Sequence, residues 1–180
     1  MKQKRLFVGL DLPESVRQSL SALDPHLHGV RWMKPEQIHL TLSFLGSVET
    51  AAEEILREKL AAIRMTSFFL PLQGMGSFPA RGQPQVIWTG VGPGHPQLFY
   101  LHKRVQDAVL ATGLEPDLRP WHPHITIARC KDVAAESVRP FLKKHADFDG
   151  GLVRVNSFAL YSSEPRESGS IYACELTVTG

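Results

Sequence analysis

Two short segments carry the residues best suited to chemistry: His39-Leu40-Thr41-Leu42 and His124-Ile125-Thr126-Ile127. Each reads His, aliphatic, Thr, aliphatic inside an alternating apolar run. The strand period of two then puts His and Thr on one face and the aliphatics on the other. Imidazole titrates near neutrality, so two of them can share the work of a general base and a general acid. The threonine hydroxyls, two residues along each strand, can donate to non-bridging phosphate oxygens. Packing alone does not account for the pattern, because four polar side chains would then point into an apolar core. Together the pair suits phosphodiester chemistry without a metal or cofactor, one histidine neutral and one charged. Leu40, Leu42, Ile125 and Ile127 are expected to pack on helices behind the strands and hold the polar face rigid.

The elements that position these segments follow from periodicity and punctuation. A strand over 5–10 leads through Pro13 into a helix whose Val16, Leu20 and Leu23 share a face. A short strand is expected around 30–32, then a clearer one over 38–45 ending at Gly46 and carrying the first motif. Glu53 and Glu54 suit the start of a helix over 50–64, with Leu56, Leu60 and Ile63 as its buried stripe. Strands over 68–72 and 85–91 precede a helix over 96–111 with Leu98, Leu101 and Val105 on one side. The second motif follows a Pro-rich turn. A helix over 132–145 aligns Ala134, Val138 and Phe141, although Pro140 should break or kink it. Two last strands, 152–161 and 171–178, are joined by a polar loop over 162–169 that can reach over a site. Strands interleaved with about four helices, one motif in each half, predict an α+β fold. Its expected form is bilobal and duplicated, with two mainly antiparallel sheets facing a central cleft and helices outside.

Composition narrows the class of molecule. The 180 residues suit a single two-lobed domain over 1–180, and 43% hydrophobic with 21% charged residues is ordinary for a globular chain. With 20 basic against 18 acidic residues, nothing resembles a basic arm that coats nucleic acid by charge alone. Any RNA contact must be local. Cys130 and Cys174 lack close metal-type spacing, and Met1-Lys2-Gln3-Lys4-Arg5 opens a strand too short for a signal-peptide core. A reducing cytoplasm is therefore expected, and no apolar run approaches the roughly 20 residues that span a bilayer.

Other residues have plainer readings. Arg129 has parity opposite to His124, so on a regular strand it faces away, and a structural salt bridge is at least as good a reading as substrate contact. Phe78 and Trp121 are candidates to stack on a nucleobase, with core packing the better reading of each. His122 forms a His-Pro-His unit with His124, which raises a metal-site alternative, but carboxylates near either motif are missing. Orienting its neighbour is the better role. Gly90-Val91-Gly92-Pro93-Gly94 reads as a turn, because the proline removes an N–H that a phosphate-cradling loop would use.

The chain also resembles the RNA 2',3'-cyclic phosphodiesterases, also known as 2'-5' RNA ligases, within the two-histidine phosphoesterases. The resemblance rests on an ordered set: Arg5-Leu6-Phe7 to Asp11-Leu12-Pro13, the first motif with Phe44-Leu45-Gly46, Val86-Ile87-Trp88, and Pro120-Trp121-His122-Pro123 before the second motif with Arg129. It implies the two-lobed fold, an active site between the lobes, and hydrolysis of an RNA 2',3'-cyclic phosphate end to a 2'-phosphomonoester. It further implies His39 as proton donor, His124 as proton acceptor, and Thr41 and Thr126 as substrate-binding residues. The motif symmetry by itself does not assign these roles. Ligation at a 2'-5' linkage would be the reverse reaction, from a cyclic end and a 5'-hydroxyl. Where a basic residue is expected before the Val-Ile-Trp strand this chain has Gln85, for which Arg81 is a candidate replacement. The expected partners are RNA termini or small cyclic-phosphate nucleotides, with the protein a monomer, no membrane and no cofactor. Two alternatives stand beside this reading: a non-catalytic RNA-binding module of the same fold, and a metal-dependent phosphoesterase using His122 and His124.

Overall fold

The computed structural model describes residues 2–93 and 95–180. In chain order the elements are β1 (Gln3–Leu10), α1 (Glu14–Ser21), β2 (Val30–Trp32), a 3-10 turn (Pro35–Gln37), β3 (Leu40–Glu49) and α2 (Thr50–Ala61). They continue with β4 (Phe68–Phe78), β5 (Val86–Gly90), α3 (Pro96–Ala111), β6 (His124–Cys130), α4 (Ala135–Lys144), β7 (Asp149–Val155), β8 (Ser157–Glu164) and β9 (Ile171–Thr179). Gly94, the last residue of the expected glycine-rich turn, and Met1 lie outside the described residues.

The fold is α+β, with antiparallel pairing between all the named strands. Rather than two separate sheets, the strands form one hydrogen-bonded path, β7-β4-β5-β6-β3-β1-β8-β9, with β2 paired to β6. The halves on either side of the β6–β3 junction meet through one pair, Leu40 opposite Ile125. The path is strongly bent. Strands β7 and β8 lie six places apart, about 29 Å in a flat sheet at ~4.8 Å per strand. Yet Asn156 alone connects them, and one linking residue spans about 7 Å. The two ends must therefore turn toward each other.

Apolar stripes build the interior. Leu6, Val8 and Leu10 of β1 are buried with Leu40 and Leu42 of β3 and Ile125 and Ile127 of β6. Leu20 of α1, Leu56 and Leu60 of α2, Leu98, Leu101 and Val105 of α3, and Val138 and Phe141 of α4 close over them. Helix α3 starts on Pro96, which suits a first-turn position because no N–H is required there. Polar bracing joins α2 to the sheet: the side chain of Glu53, 6% exposed, accepts from Lys4 Nζ at 3.1 Å and Arg57 Nη2 at 2.6 Å. The same two cations reach Glu175 on β9 at 3.0 and 2.6 Å.

Other expectations change as well, among them the strand expected to end at Gly46, which runs on to Glu49. The single strand over 152–161 is two strands that break at Asn156 and belong to different halves. The inward residues shift parity there, from Val153 and Val155 to Phe158 and Leu160. Strand β4 runs on past Leu72 through Gly74 and Gly76, because a glycine is what the Trp88 ring across from it requires: a Cβ on Gly76 would collide with that ring. Helix α4 starts only at Ala135 but continues through Pro140. Pro140 is on the exposed side, where water can satisfy the carbonyl that its missing N–H leaves free.

Candidate active site

Both histidines sit where an irregular lead-in becomes a strand at the centre of the sheet. His39 follows the 3-10 turn immediately before β3, and His124 is the first residue of β6. Their backbone anchors match. His39 Nδ1–H donates to the carbonyl of Gln37 at 2.8 Å, and His124 Nδ1–H donates to the carbonyl of His122 at 2.6 Å. Each histidine is thus held by the backbone two residues upstream, which fixes the neutral tautomer with Nε2 bare. The Thr41 hydroxyl lies 3.0 Å from His39 Nε2 and donates to it in that tautomer.

A phenylalanine backs each imidazole. Phe7 stacks on His39 with ring centroids 4.7 Å apart, and Phe78 meets His124 edge-on at 5.0 Å. Tyr172 adds an edge contact to His39 at 5.2 Å. Gly9, on the cleft face of β1, leaves room for this arrangement, since a Cβ there would come within 3.0 Å of the Leu40 carbonyl and 3.5 Å of the His39 ring.

One cavity of about 140 Å³ brings the motif residues together: His39, Thr41, His124 and Thr126 all line it, with Arg5 and Arg129. No acidic side chain is among its described lining residues, so its field favours an anion. Burial, aided by the charge of Arg129, pushes His39 down to about 4, against the opposing effects of the Gln37 carbonyl and the Asp11 carboxylate. His124 is lowered too, chiefly by burial, with the His122 carbonyl opposing and Arg129 adding to the effect.

Arg129 corrects the parity argument. Opposite β5, Ile87 pairs with Ala128 while Trp88 pairs with Thr126, so Ile127 is the extra residue of a β-bulge. Ile127 and Ala128 are consequently both buried, and Arg129 returns to the histidine face and lines the cleft. The first motif has the same irregularity. Val8 pairs with Ser43 and Gly9 with Thr41, Leu42 and Ser43 are both buried, and Phe44 emerges beside the cleft. Arg5 lies over the Phe44 ring, 5.0 Å from its centroid. Arg5 and Phe7 had a sequence signal, because Leu6, Val8 and Leu10 claim the opposite parity of β1. The bulge had none.

The remaining candidates separate. Trp121 stands behind Thr41: its indole N–H donates to the Thr41 carbonyl at 3.3 Å, and His102 of α3 lies flat on it at 3.9 Å. His122 serves through its carbonyl while its side chain is exposed. Among the described residues, no three His, Cys, Asp or Glu side chains group as a metal site. Arg81 lies beside Arg139 and Lys143 in a groove against α4 and not in the cleft, so it does not replace the basic residue absent at Gln85. The 165–170 loop does reach the cleft. Gln37 Nε2 donates to the Ser170 carbonyl at 3.0 Å, and Ser163 and Ser170 line the cavity wall.

A mostly antiparallel sheet carries paired His and Thr side chains at its central seam, and comparison with known proteins gives the class of the molecule. Residues 12–167 match the 2'-5' RNA ligase superfamily, and the chain belongs to that family. It is 33% identical over 144 residues to the RNA 2',3'-cyclic phosphodiesterase of Aeropyrum pernix, covering 79% of this chain and 82% of that one. With the Aquifex aeolicus protein of the same name it shares 31% over 179 residues, covering 96% and 95%. The crystal structure of E. coli LigT complexed with 3'-AMP superposes with a TM-score of 0.80 at 26% identity, covering 99% and 98%. That of TT0787 from Thermus thermophilus gives 0.78 at 28%, covering 97% of each chain. No helix among the described residues is long and apolar enough to cross a membrane.

Proposed function

We propose that this protein is a hydrolase that opens RNA 2',3'-cyclic phosphate ends to 2'-phosphomonoesters, with His39 as general acid and His124 as general base. The observation that carries the reading is the shared cleft: two histidines of one tautomer, two threonines and Arg129 line a single anion-favouring cavity. Relatives named for this activity support the substrate class.

The steps follow from the bare Nε2 atoms. His124 Nε2 takes a proton from water, whose oxygen attacks phosphorus in line with the 3' oxygen. The P–O3' bond breaks as His39 Nε2–H protonates that oxygen, and the phosphate stays on O2'. Arg129 and the hydroxyls of Thr41 and Thr126 neutralise the growing charge on the non-bridging oxygens. His39 is neutral in the empty cleft at pH 7, because burial disfavours its charged form. An anionic phosphate beside it opposes that depression, so the proton it delivers comes on with substrate. Asp11 pulls the same way at His39, and the division of roles between the two histidines is the one that the resemblance to the two-histidine phosphoesterases implies. With an RNA 5'-hydroxyl in place of water the same ring opening would give a 2'-5' linkage, His124 taking the hydroxyl proton and His39 protonating the departing 3' oxygen.

We read the chain as one two-lobed unit over 1–180, since a single apolar cluster takes residues from both halves. A monomer at work in the cytoplasm fits the free thiols Cys130 and Cys174. The test is hydrolysis of an oligonucleotide ending in a 2',3'-cyclic phosphate, in EDTA, by wild type, His39→Ala and His124→Ala. Each variant should lose about 10²- to 10⁴-fold, and the product should carry a 2'-phosphate. Undiminished turnover in either variant overturns the mechanism, and binding without product would favour the RNA-binding module.

A further inference from the structure

Arg81, Arg139 and Lys143 meet in an open groove of about 640 Å³ outside the cleft. Arg139 and Lys143 stand one turn apart on α4 and share a face. Arg81 comes from the loop between β4 and β5. Val138 and Leu142 give the groove an apolar floor, and no carboxylate is among its described lining residues. Among the described residues the three cations make one ion pair, an exposed contact of 3.6 Å from Arg139 to Glu136.

Helix stability accounts for part of this arrangement. A lysine in the last turn suits the negative end of α4, and Lys143 is there. It does not account for Arg81, which a separate loop brings against two like charges. A chain of net charge +2 has no general surplus of cations to place, and three of them gathered without a counter-charge repel one another until an anion binds.

Backbone joins the groove to the cleft. Gln85 N–H donates to the Phe78 carbonyl at 2.8 Å, closing the loop that carries Arg81, and Cys130 N–H donates to the Gln85 carbonyl at 2.8 Å. Val86 pairs with Arg129, so the base of the loop lies beside the strand end that delivers Arg129 to the cleft. Ser77 lines the groove, and its neighbour Phe78 packs on His124. A polyanion that leaves the cleft over this loop meets Arg129, then Arg81, then the two cations of α4.

We propose that the groove holds the backbone phosphates of single-stranded RNA whose end lies in the cleft. The inference rests on the reading of the cleft as an RNA-end hydrolase and extends it to a chain of several nucleotides. Three positive side chains along a groove suit a row of phosphates carrying one charge each, and an arginine fork takes two oxygens of one phosphate. No aromatic side chain is among the described lining residues to stack on a base, so the groove binds by charge and is indifferent to sequence. The backbone comes either from the strand that carries the cyclic end or from a strand that presents a 5'-hydroxyl. The chemistry that holds it is the same.

The experiment compares cytidine 2',3'-cyclic phosphate with an RNA octamer that ends in the same cyclic nucleotide. Wild type should favour the octamer in kcat/KM. That advantage should shrink roughly 20-fold between about 50 and 200 mM salt, as three phosphate contacts at ~0.7 in log–log slope each imply. Arg81→Ala, Arg139→Ala and Lys143→Ala, all at exposed positions, should each lower the slope by about 0.7. The triple variant should erase the octamer's advantage and leave turnover of the cyclic mononucleotide unchanged. Lys59→Ala, exposed on α2, controls for net charge and should alter neither. Fluorescence anisotropy with a labelled octamer that has a 5'-hydroxyl and no cyclic end separates the two sources. Binding that weakens in the triple variant assigns the groove to any strand, and a loss confined to the cyclic-ended octamer assigns it to the substrate's own strand. Equal kcat/KM for both substrates in wild type, an advantage that survives in the triple variant, or an equal loss in Lys59→Ala overturns the groove and leaves the hydrolase reading intact. A wild type that hydrolyses neither substrate removes both.

Discussion

Phe44 and Arg129 hold equivalent places on two neighbouring strands. Each stands five residues after a cleft histidine, and each is returned to the histidine face by a bulge, at Leu42 in one strand and Ile127 in the other. One arm thus delivers a cation directly, while the other delivers a ring that carries Arg5 above it.

The first prediction concerns that cation. Arg129→Ala should cost about 10²- to 10³-fold in kcat/KM, the usual effect of losing one donor to a transition-state oxyanion. Arg129→Lys should recover only part, because an ammonium lacks the planar fork. Independently of turnover, both imidazoles should titrate higher in Arg129→Ala, since its charge lowers each. NMR titration of the ring protons reads this, and unmoved titrations would place Arg129 outside the site.

Thr41 and Thr126 should not be equal in effect. Thr126→Val removes a phosphate donor, whereas Thr41→Val also removes the 3.0 Å partner of His39 Nε2. Both should fall less than a histidine variant, roughly 10- to 100-fold, with Thr41→Val the worse of the two. Steady-state kinetics on one cyclic nucleotide settles the order.

The pH dependence follows from burial. In the free enzyme His39 is pushed down to about 4 and His124 lies below its ordinary 6.5. A plot of kcat/KM against pH reports these free-enzyme groups. It should be bell-shaped with both limbs below pH 6.5, so activity per enzyme encounter is higher at pH 5 than at pH 7.5. A profile centred above 7 would contradict the burial of the pair.

Stability should decline in acid in two stages. Between about 6.5 and 4 the unfolded chain binds protons that folded His39 and His124 refuse, so stability falls as pH falls. Glu175 is held below its usual 4.5 by hydrogen bonds from Ser162 first and Lys4 next, so its contribution is present above 4.5 and fades below. Thermal melts from pH 7.5 to 3.5 should show both, and His39→Gln should flatten the upper stage. A Tm independent of pH across 6.5 to 4 would exclude the first.

Glu53 ties α2 to Lys4 of β1 and holds Arg57, and both cations reach Glu175 on β9. Glu53→Ala should cost about 2 kcal/mol, below the ~3–5 of a fully buried pair because Lys4 and Arg57 also reach water. Urea denaturation measures it.

The sequence marks what depends on local pattern. Alternation places Thr41 and Thr126 beside their histidines, and Pro96 with the Leu98, Leu101 and Val105 stripe marks α3 to the residue. It does not mark Arg129, because a bulge is one extra residue whose signature is two successive buried positions, and Ile127-Ala128 or Leu42-Ser43 read equally well as ordinary strand. The division at Asn156 was visible as a parity shift between Val155 and Phe158, but only to a reader expecting the strand to end. Contacts that arise between distant segments, such as Trp121 on Thr41 or Trp88 over Gly76, have no local signature.

The single β3–β6 pair, Leu40 with Ile125, lies one residue from His39 and one residue from His124. Main-chain hydrogen bonding at that point ties the two imidazoles together through the backbone itself, so the spacing that proton transfer demands is written into the sheet and need not be found by side-chain rotation.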